Sequence, residues 1–364
     1  MTGLVDDHAH PFPLVADTLA LGGLTLVTEE GPAAEQRRSA AAPHRLMLEA
    51  LRVRLAALLD CAPDDVESVR NAVAAADWPA YVRRLFADAG VSGMLLDGGG
   101  DPTPYAETAG VPMFALRRLE TVIDPLLDAG ADADHVIAEV ERVAAADGVV
   151  GLKTVLAYRT GLAVDPDVGL AAARRSVDEG GPVRRRAKAL RDFVFLRVLD
   201  ICADLRRPIQ VHTGFGDSDL RLADSNPLLL DDVLRSTSAP VVLIHAGYPW
   251  HEQIAYLASM RSSVWAEFSL VNLFSPVTTA DRLLRVIDLA PVDRLLFGSD
   301  GHGSPETHWF ASLVLRDAWR DVRSRLAGVA RQGWLDRAEG ALFAGNAVDV
   351  YRLPTPFPPS GGGR

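Results

Sequence analysis

Short apolar runs alternate with longer amphipathic stretches along the chain, and the two patterns predict strands and helices respectively. Several of these runs are nearly continuous in apolar residues, which is typical of parallel strands buried on both faces. There are eight strand candidates, at residues 4–8, 93–97, 112–117, 149–155, 209–212, 241–245, 263–268 and 294–298. Since helical stretches separate them, the pattern predicts βα units, and eight units favour an α/β fold of the closed (β/α)8 TIM-barrel type.

The spacing of the strands is uneven, which predicts two insertions. About eighty residues separate the first two strand candidates, and three helices are expected between them, at residues 42–60, 63–76 and 79–89. We therefore expect a helical insertion over about residues 25–90, above the mouth of the barrel, and a second insertion after the fourth strand, over about 158–186. Residues 1–353 are predicted to form one barrel domain, and the proline- and glycine-rich segment 354–364 a disordered tail.

Charge and composition narrow the classes of partner. The net charge is −11 and the isoelectric point about 5.3, with both signs scattered along the chain, which argues against nucleic acid or an anionic membrane as partner. The two cysteines are too few for a disulfide framework, and neither a leader-like start nor an apolar run long enough to span a bilayer is evident. We expect a cytoplasmic protein that acts on a small-molecule substrate, with homo-oligomerisation left open.

Ligand-type side chains lie at the ends of the predicted strands. His8 and His10 end the first strand, and because residues i and i+2 of a strand point to the same face, both imidazoles can reach one metal ion. Later strands end in, or lead into, four further residues: Lys153, His212, His245 and Asp300. Each one alone is more often a hydrogen-bonding structural group. Together they would share the carboxyl-terminal face of the barrel, where active sites of this fold lie, and so they predict a metal site.

These six residues, in this order along the strands, resemble the ligand pattern of the amidohydrolase superfamily of metal-dependent barrel enzymes. A narrower resemblance is to the branch that also occurs fused to glutamine-synthetase-like domains. Its motifs here are Gly151-Leu152-Lys153-Thr154, Val211-His212-Thr213-Gly214, Ile244-His245-Ala246-Gly247 and Gly298-Ser299-Asp300-Gly301. The resemblance extends over nearly the whole chain, from about residue 4 to residue 351.

The resemblance implies two ions bridged by a carboxylated lysine, one ion on His8, His10 and Asp300, the other on His212 and His245, with Lys153 between them. A carbamate forms only on a neutral primary amine, which a desolvated lysine can supply and an arginine cannot. Of the 37 basic residues only Lys153 and Lys188 are lysines, so the chain uses arginine where a plain cation suffices. The alternative is an unmodified Lys153 beside a single ion, with His245 as an acid–base group or electrophile, as in the decarboxylase branches.

The implied cofactor is one or two divalent transition-metal ions. Nitrogen and oxygen ligands suit zinc first, with manganese and iron as alternatives. Such a site implies hydrolysis of a C–N bond by a metal-activated water, with Asp300 accepting the proton and returning it to the leaving nitrogen. Non-oxidative decarboxylation on one metal is the second hypothesis, and a catalytically silent barrel retained for binding is the third.

Loop residues near the predicted mouth indicate the class of substrate. The candidates for substrate binding are Tyr158, Arg159, Asp217, Tyr248, Trp250 and His302. An arginine fork suits a carboxylate, and acidic loop residues suit an amine. Both together favour a small carboxylate-bearing molecule derived from an amino acid, with an amide or cyclic amide bond to be cleaved.

Overall fold

Eight parallel strands form one sheet in the computed structural model, which describes residues 2–24, 32–98 and 100–354. The strands pair in chain order, each with the next. They are β1 (Leu4–Ala9), β2 (Val91–Asp97), β3 (Met113–Arg118), β4 (Gly151–Thr154), β5 (Ile209–His212), β6 (Val241–Ile244), β7 (Val264–Phe268) and β8 (Leu295–Phe297). All eight predicted strands are therefore confirmed, with ends that differ by up to two residues.

Backbone hydrogen bonds beyond β8 bring the last strand back to the first. The Asp300 N–H donates to the carbonyl of His8 at 2.8 Å, and the His10 N–H donates to the carbonyl of Gly301 at 2.9 Å. The sheet is thus drawn into the barrel that the sequence predicts. Paired positions on neighbouring strands face the same way, so the pairing of Lys153 with Arg118 and with Gln210 places these three side chains in the barrel interior.

Helices surround the strands. Within the described residues they are α1 (Pro32–Ala41), α2 (Leu46–Leu59), α3 (Val66–Ala76), α4 (Trp78–Ala89), α5 (Thr103–Ala109), α6 (Glu120–Asp128), α7 (Ala133–Ala145), α8 (Leu170–Ser176), α9 (Lys188–Leu205), α10 (Asp231–Ser236), α11 (His251–Met260), α12 (Val271–Phe274), α13 (Thr279–Ile287), α14 (Pro305–Leu326), α15 (Gln332–Gly340) and α16 (Asn346–Tyr351). The three helices predicted between the first strands correspond to α2, α3 and α4. In that range none is long and apolar enough to cross a membrane.

The segments predicted as insertions follow β1 and β4. Helices α1 to α4 lie between β1 and β2, and α8 lies between β4 and β5. Part of the first predicted insertion, residues 25–31, lies outside the described residues, and so does the predicted tail apart from Pro354.

Two apolar clusters hold the barrel together. The larger lies between the strands and the surrounding helices. The smaller fills the barrel interior below the strand ends and includes Val5, Leu95, Val242 and Leu296. Residues of α16, among them Tyr351, pack against this inner cluster and cover the amino-terminal end of the barrel. The polar side chains of the interior are thereby confined to the opposite, carboxyl-terminal end.

Candidate metal centre

Asp300 lies between the two histidines that end β1. Its Oδ1 is 3.0 Å from His8 Nε2 and 3.1 Å from His10 Nε2. In spite of these short distances, His8 Nε2 and Asp300 Oδ1 have no hydrogen-bond partner of acceptable geometry, and both atoms are buried. Ligand atoms of His8, His245 and Asp300 all lie within 4.8 Å of one another, as do those of His8, His10 and Asp97.

The second ring nitrogen of each β1 histidine has an acceptor of its own. His8 Nδ1 lies 2.7 Å from Gln210 Oε1, and the Gln210 amide nitrogen donates to the Asp7 carbonyl and to the Tyr351 hydroxyl. His10 Nδ1 lies 3.0 Å from the Asp97 carbonyl. Because both partners are acceptors, Nδ1 carries the proton in each ring, and Nε2 is left as a lone pair towards Asp300.

The histidines of β5 and β6 form a second pair beside the first. His245 Nε2 lies 2.9 Å from His212 Nδ1, and the His8 and His245 ring centroids are 5.4 Å apart. His245 Nδ1 is 2.6 Å from the Ser269 hydroxyl, which donates to Glu267 Oε2 at 2.6 Å. Since the serine proton goes to Glu267, the serine oxygen accepts from His245 Nδ1, and Nε2 of His245 presents a lone pair that faces His212 Nδ1.

Two of these residues have unusual backbone conformations. His245 has a φ of 70° and Asp300 a φ of 51°, both in the left-handed region that non-glycine residues seldom adopt. Each is held by the barrel: Glu267 Oε2 accepts from the His245 N–H at 3.0 Å, and the Asp300 N–H donates to His8. Strained conformations of this kind persist where the surrounding structure holds them, often at functional sites.

Lys153 projects into the barrel interior and lines the same cavity as His8, His10, His212 and His245. Its side chain is 1% exposed. Within residues 2–24, 32–98 and 100–354, Nζ forms no hydrogen bond or ion pair. Burial lowers the pKa of Lys153 to about 8, so the neutral amine is accessible close to neutral pH.

Electrostatics at the centre favour an ionised Asp300 and neutral rings at His8, His212 and His245. Burial alone would raise the pKa of Asp300, but the imidazoles of His245, His10 and His8 lower it well below its usual range. Burial lowers the pKa of His8 to about 4 and those of His212 and His245 well below their usual values. Asp300 raises the pKa of His10 despite the opposing effect of burial.

This donor set fits a divalent transition metal. In His8, His10 and His245 the proton is on Nδ1, so Nε2 presents a lone pair. Asp300 Oδ1, an ionised carboxylate oxygen, lies close to these rings without a hydrogen bond. Lone pairs at about 3 Å from one another repel unless a cation or a proton lies between them. Imidazole and carboxylate ligands of this kind suit zinc, manganese and iron.

A family model described as Amidohydrolase matches residues 5–353 of the chain. The chain belongs to the amidohydrolase family. Protein fluG of Emericella nidulans is 32% identical in an alignment of 189 positions, which covers 48% of this chain but only 22% of that protein.

Solved structures resemble this amidohydrolase over nearly its whole length. A protein assigned as a metal-dependent hydrolase, from Lactobacillus casei, has a TM-score of 0.85 at 23% identity, covering 96% of this chain and 95% of its own. Uronate isomerase from Thermotoga maritima has a TM-score of 0.69 at 12% identity, covering 96% and 94%. At these identities the likeness establishes the fold.

The metal candidates of this amidohydrolase form the floor of a cavity of about 470 Å³, a size that suits a small molecule. All six predicted ligands line it, and so do four of the predicted substrate-binding residues, namely Tyr158, Arg159, Asp217 and His302. Tyr248 and Trp250 are not among the lining residues. Tyr248 packs against Phe215 and Arg282 instead, which directs its ring away from the cavity.

Two lining residues are held by specific contacts. Arg159 donates from Nε to Asp124 at 2.8 Å, and its Nη1 is buried without a hydrogen-bond partner. The Tyr158 hydroxyl accepts from the Asp217 N–H at 3.0 Å, and its ring lies 4.6 Å from that of His212. A β-carbon at Gly216 would lie 1.8 Å from the Tyr158 hydroxyl, so only glycine allows this approach.

Sequence reasoning did not select several residues that shape the site. Gln210 and Ser269 orient His8 and His245, Arg118 and Arg184 line the cavity, and Asp97 contacts both His10 and Arg118. A signal was available for two of them, since Asp97 and Arg118 end β2 and β3 just as the selected ligands end later strands. The other three carry no mark in the sequence that separates them from ordinary polar residues.

Proposed function

We propose that this amidohydrolase is a metal-dependent hydrolase that cleaves the C–N bond of an amide or cyclic amide in a small, carboxylate-bearing molecule derived from an amino acid. The observation that carries the proposal is the convergence of free imidazole nitrogens on Asp300 at the floor of the cavity. Family membership supports hydrolysis as the reaction class.

The ligands divide between two ions. His8, His10 and Asp300 would hold one ion, and His212 and His245 the other, with a carboxylated Lys153 as the bridge. The position of Lys153 supports this role, because it is buried, lines the same cavity as both pairs and forms no hydrogen bond or ion pair to the described residues. Zinc is the metal proposed first.

Bound metal would supply a water of lowered pKa and polarise the scissile carbonyl. Asp300 would take the proton of the attacking water and pass it to the leaving nitrogen. Its Oδ1 is buried without a hydrogen-bond partner, so no protein donor occupies the oxygen that would accept the proton. Arg159, held by Asp124, would orient an anionic group of the substrate, and the barrel walls around the cavity floor would limit the entry of bulk water.

One observation favours a second candidate, non-oxidative decarboxylation on a single metal. The contact of 2.9 Å between His212 Nδ1 and His245 Nε2 can be satisfied as a hydrogen bond without an ion. His245 would then act as an acid–base group, and Lys153 would remain an amine.

Metal content distinguishes the candidates. We expect close to two ions per wild-type chain by plasma mass spectrometry, about one in Lys153→Arg, and a loss of the first-site ion in the His8→Ala/His10→Ala double variant. Lys153→Ala should regain activity and metal in the presence of a short carboxylic acid. Full metal content in the double variant would overturn the site, whereas one ion in wild type and a fully active Lys153→Arg would favour decarboxylation.

Activity of the metal-loaded protein should be measured on N-acyl amino acids and on lactams that carry a carboxylate. Release of free amine supports C–N hydrolysis, and release of CO2 from simple carboxylic acids supports the second candidate. The same panel run on His8→Ala/His10→Ala controls for contaminating enzymes.

A further inference from the structure

Arg118 and Asp97 form an ion pair at the wall of the cavity. Arg118 ends β3, and its Nε lies 3.1 Å from Asp97 Oδ1, while Nη2 lies 2.5 Å from Asp97 Oδ2. This two-point contact fixes the plane of the guanidinium, as is usual for an arginine and a carboxylate. Asp97 in turn accepts from His10 Nδ1 through its carbonyl. One residue therefore holds both the guanidinium and a candidate metal ligand.

The outer edge of this guanidinium is open to the cavity. Asp97 occupies the Nε–H and one N–H of Nη2, so three of the five donors of Arg118 remain. In the part of the chain that the structure describes, no acceptor satisfies them. The Arg118 side chain is 30% exposed, whereas that of Asp97 is 0% exposed, and Arg118 lines the cavity. The unpaired N–H donors of Arg118 are therefore available to a ligand in the cavity.

Two other arginines line the same cavity, and both are less suited to hold a substrate beside the metal centre. Arg159 donates to Asp124, and its Nη1 is buried without a hydrogen-bond partner, so Arg159 offers a ligand fewer exposed donors than Arg118 does. Arg184 pairs with Asp219 at 2.7 Å, and both side chains are substantially exposed. Arg118 is opposite Lys153 in the strand register and so lies next to the candidate ligands.

We infer that Arg118 is the receptor for a carboxylate of the substrate and selects molecules in which that carboxylate is a few bonds from the scissile carbonyl. The inference rests on the proposed function and restricts its substrate class to molecules with a carboxylate close to the scissile bond. Asp97 would pre-orient the guanidinium, so that little side-chain freedom is lost when a carboxylate binds across its open edge. Arg159 would then contact a more distant part of the substrate.

A matched pair of metal-binding probes tests this role without knowledge of the natural substrate. Succinic acid monohydroxamate carries a chelating hydroxamate and a carboxylate, and butyrohydroxamate has a methyl group in place of that carboxylate. Their dissociation constants should be measured by calorimetry on the zinc-loaded wild type. We expect the carboxylated probe to bind at least about tenfold more tightly, the usual scale of a charge-assisted hydrogen-bonded contact.

The decisive variants are Arg118→Met and Arg118→Gln, of which the second keeps an amide that can donate to the buried Asp97 carboxylate but removes the positive charge. Both should lose the tenfold preference and still bind butyrohydroxamate as wild type does, and this second result shows that the site is folded and loaded. The control is Arg184→Met, which removes an exposed cavity arginine and should keep the preference.

Each alternative result contradicts a different statement. Retention of the preference in both Arg118 variants, or an equal loss in Arg184→Met, would overturn the role of Arg118 and leave the metal site intact. Failure of the zinc-treated wild type to bind either hydroxamate would overturn the proposed metal site and, with it, this inference.

Discussion

Each of three histidines at the candidate centre has one ring nitrogen engaged by a protein acceptor. Gln210 engages His8, the Asp97 carbonyl engages His10, and Ser269 engages His245. The engaged nitrogen is Nδ1 in every case, so Nε2 is the nitrogen that remains for a metal ion. Fixing the tautomer in this way raises the basicity of the ligand nitrogen and removes the cost of reorienting the ring when metal binds.

The hydroxyl of Ser269 provides a direct test of this arrangement. In Ser269→Ala, His245 Nδ1 loses its acceptor and the ring loses its fixed tautomer, so we expect the affinity for zinc to fall by about 10- to 100-fold. Competition with a chromophoric chelator measures this affinity without any assay of activity. Ser269→Thr keeps the hydroxyl and should recover most of the affinity. Wild-type affinity in Ser269→Ala would show that Ser269 does not orient the ligand.

The proton-transfer role of Asp300 is tested by its amide. Asp300→Asn should keep much of the metal through its remaining oxygen, but it cannot accept the proton, so kcat should fall by at least about 100-fold. KM should change little, because the proton moves in the transition state and not on binding. Steady-state kinetics on any substrate found by the panel, with metal measured on the same sample, provides both values.

The matched control for Asp300→Asn is Asp219→Asn, the same chemical change at an exposed position of the same cavity that pairs with Arg184. Its kcat should stay within a few-fold of wild type. A near-normal kcat for Asp300→Asn at full metal occupancy would contradict the proton-transfer role and leave Asp300 as a residue that shapes the loop after β8.

Helices α3, α4 and α14 are joined by a buried polar cluster beside the loop that carries Asp300. Arg70 of α3 donates to Glu306 Oε1 at 2.6 Å, and the Tyr81 hydroxyl of α4 donates to the same oxygen at 2.7 Å. The Ser304 hydroxyl also donates to Glu306 and does not cap α14. Arg70 and Glu306 are both 0% exposed, so this cluster fixes where α14 begins.

Removal of one partner from this cluster should strongly lower the free energy of unfolding. Arg70→Met leaves the Glu306 carboxylate buried without its charge partner, which costs about 3 to 5 kcal/mol in the free energy of unfolding. Urea denaturation followed by circular dichroism measures the change. The double variant Arg70→Met/Glu306→Gln removes the buried charge as well and should recover part of the loss. Equal stability of Arg70→Met and wild type would show that the pair contributes nothing.

At the scale of the whole molecule, the candidate ligands come from both ends of the chain and from its middle. His8 and His10 end β1, Asp300 follows β8, and His212 and His245 lie at the ends of β5 and β6. A bound ion would therefore connect strands across the barrel mouth. Since the unfolded chain does not hold these groups together, metal binding should contribute to the free energy of unfolding.

This coupling predicts a metal-dependent stability. With free zinc at 100 times its dissociation constant, the free energy of unfolding should rise by about 2.7 kcal/mol over that of the chelated protein. Thermal unfolding of chelated and zinc-loaded samples should show the rise as a higher Tm. The His8→Ala/His10→Ala double variant serves as the control and should show a much smaller rise. An equal rise in both proteins would mean that zinc stabilises the fold from another site.

The sequence by itself determined the barrel and the ligands proposed for its centre. Buried parallel strands are rich in apolar residues, so all eight could be predicted from short, largely apolar runs, and their ends differ from the prediction by at most two residues. Polar side chains at the end of such a run lie at the carboxyl-terminal side of the barrel, irrespective of the conformation of the loops. For that reason His8, Lys153, His212 and Asp300 could be grouped before any contact was known.

Only the tertiary structure decided which residues support the ligands and which loop residues reach the cavity. Three supporting residues contact partners on other strands or strand ends, namely Gln210, Ser269 and Arg118. The position of a residue at a strand end does not by itself predict which residue it will contact. Tyr248 and Trp250 follow β6 closely enough to suggest the cavity, yet Tyr248 packs against Phe215 and Arg282 and neither lines it. The physical reason is that a strand end fixes the direction of its side chain through the pleat, whereas the direction of a loop side chain depends on packing between segments far apart in the chain.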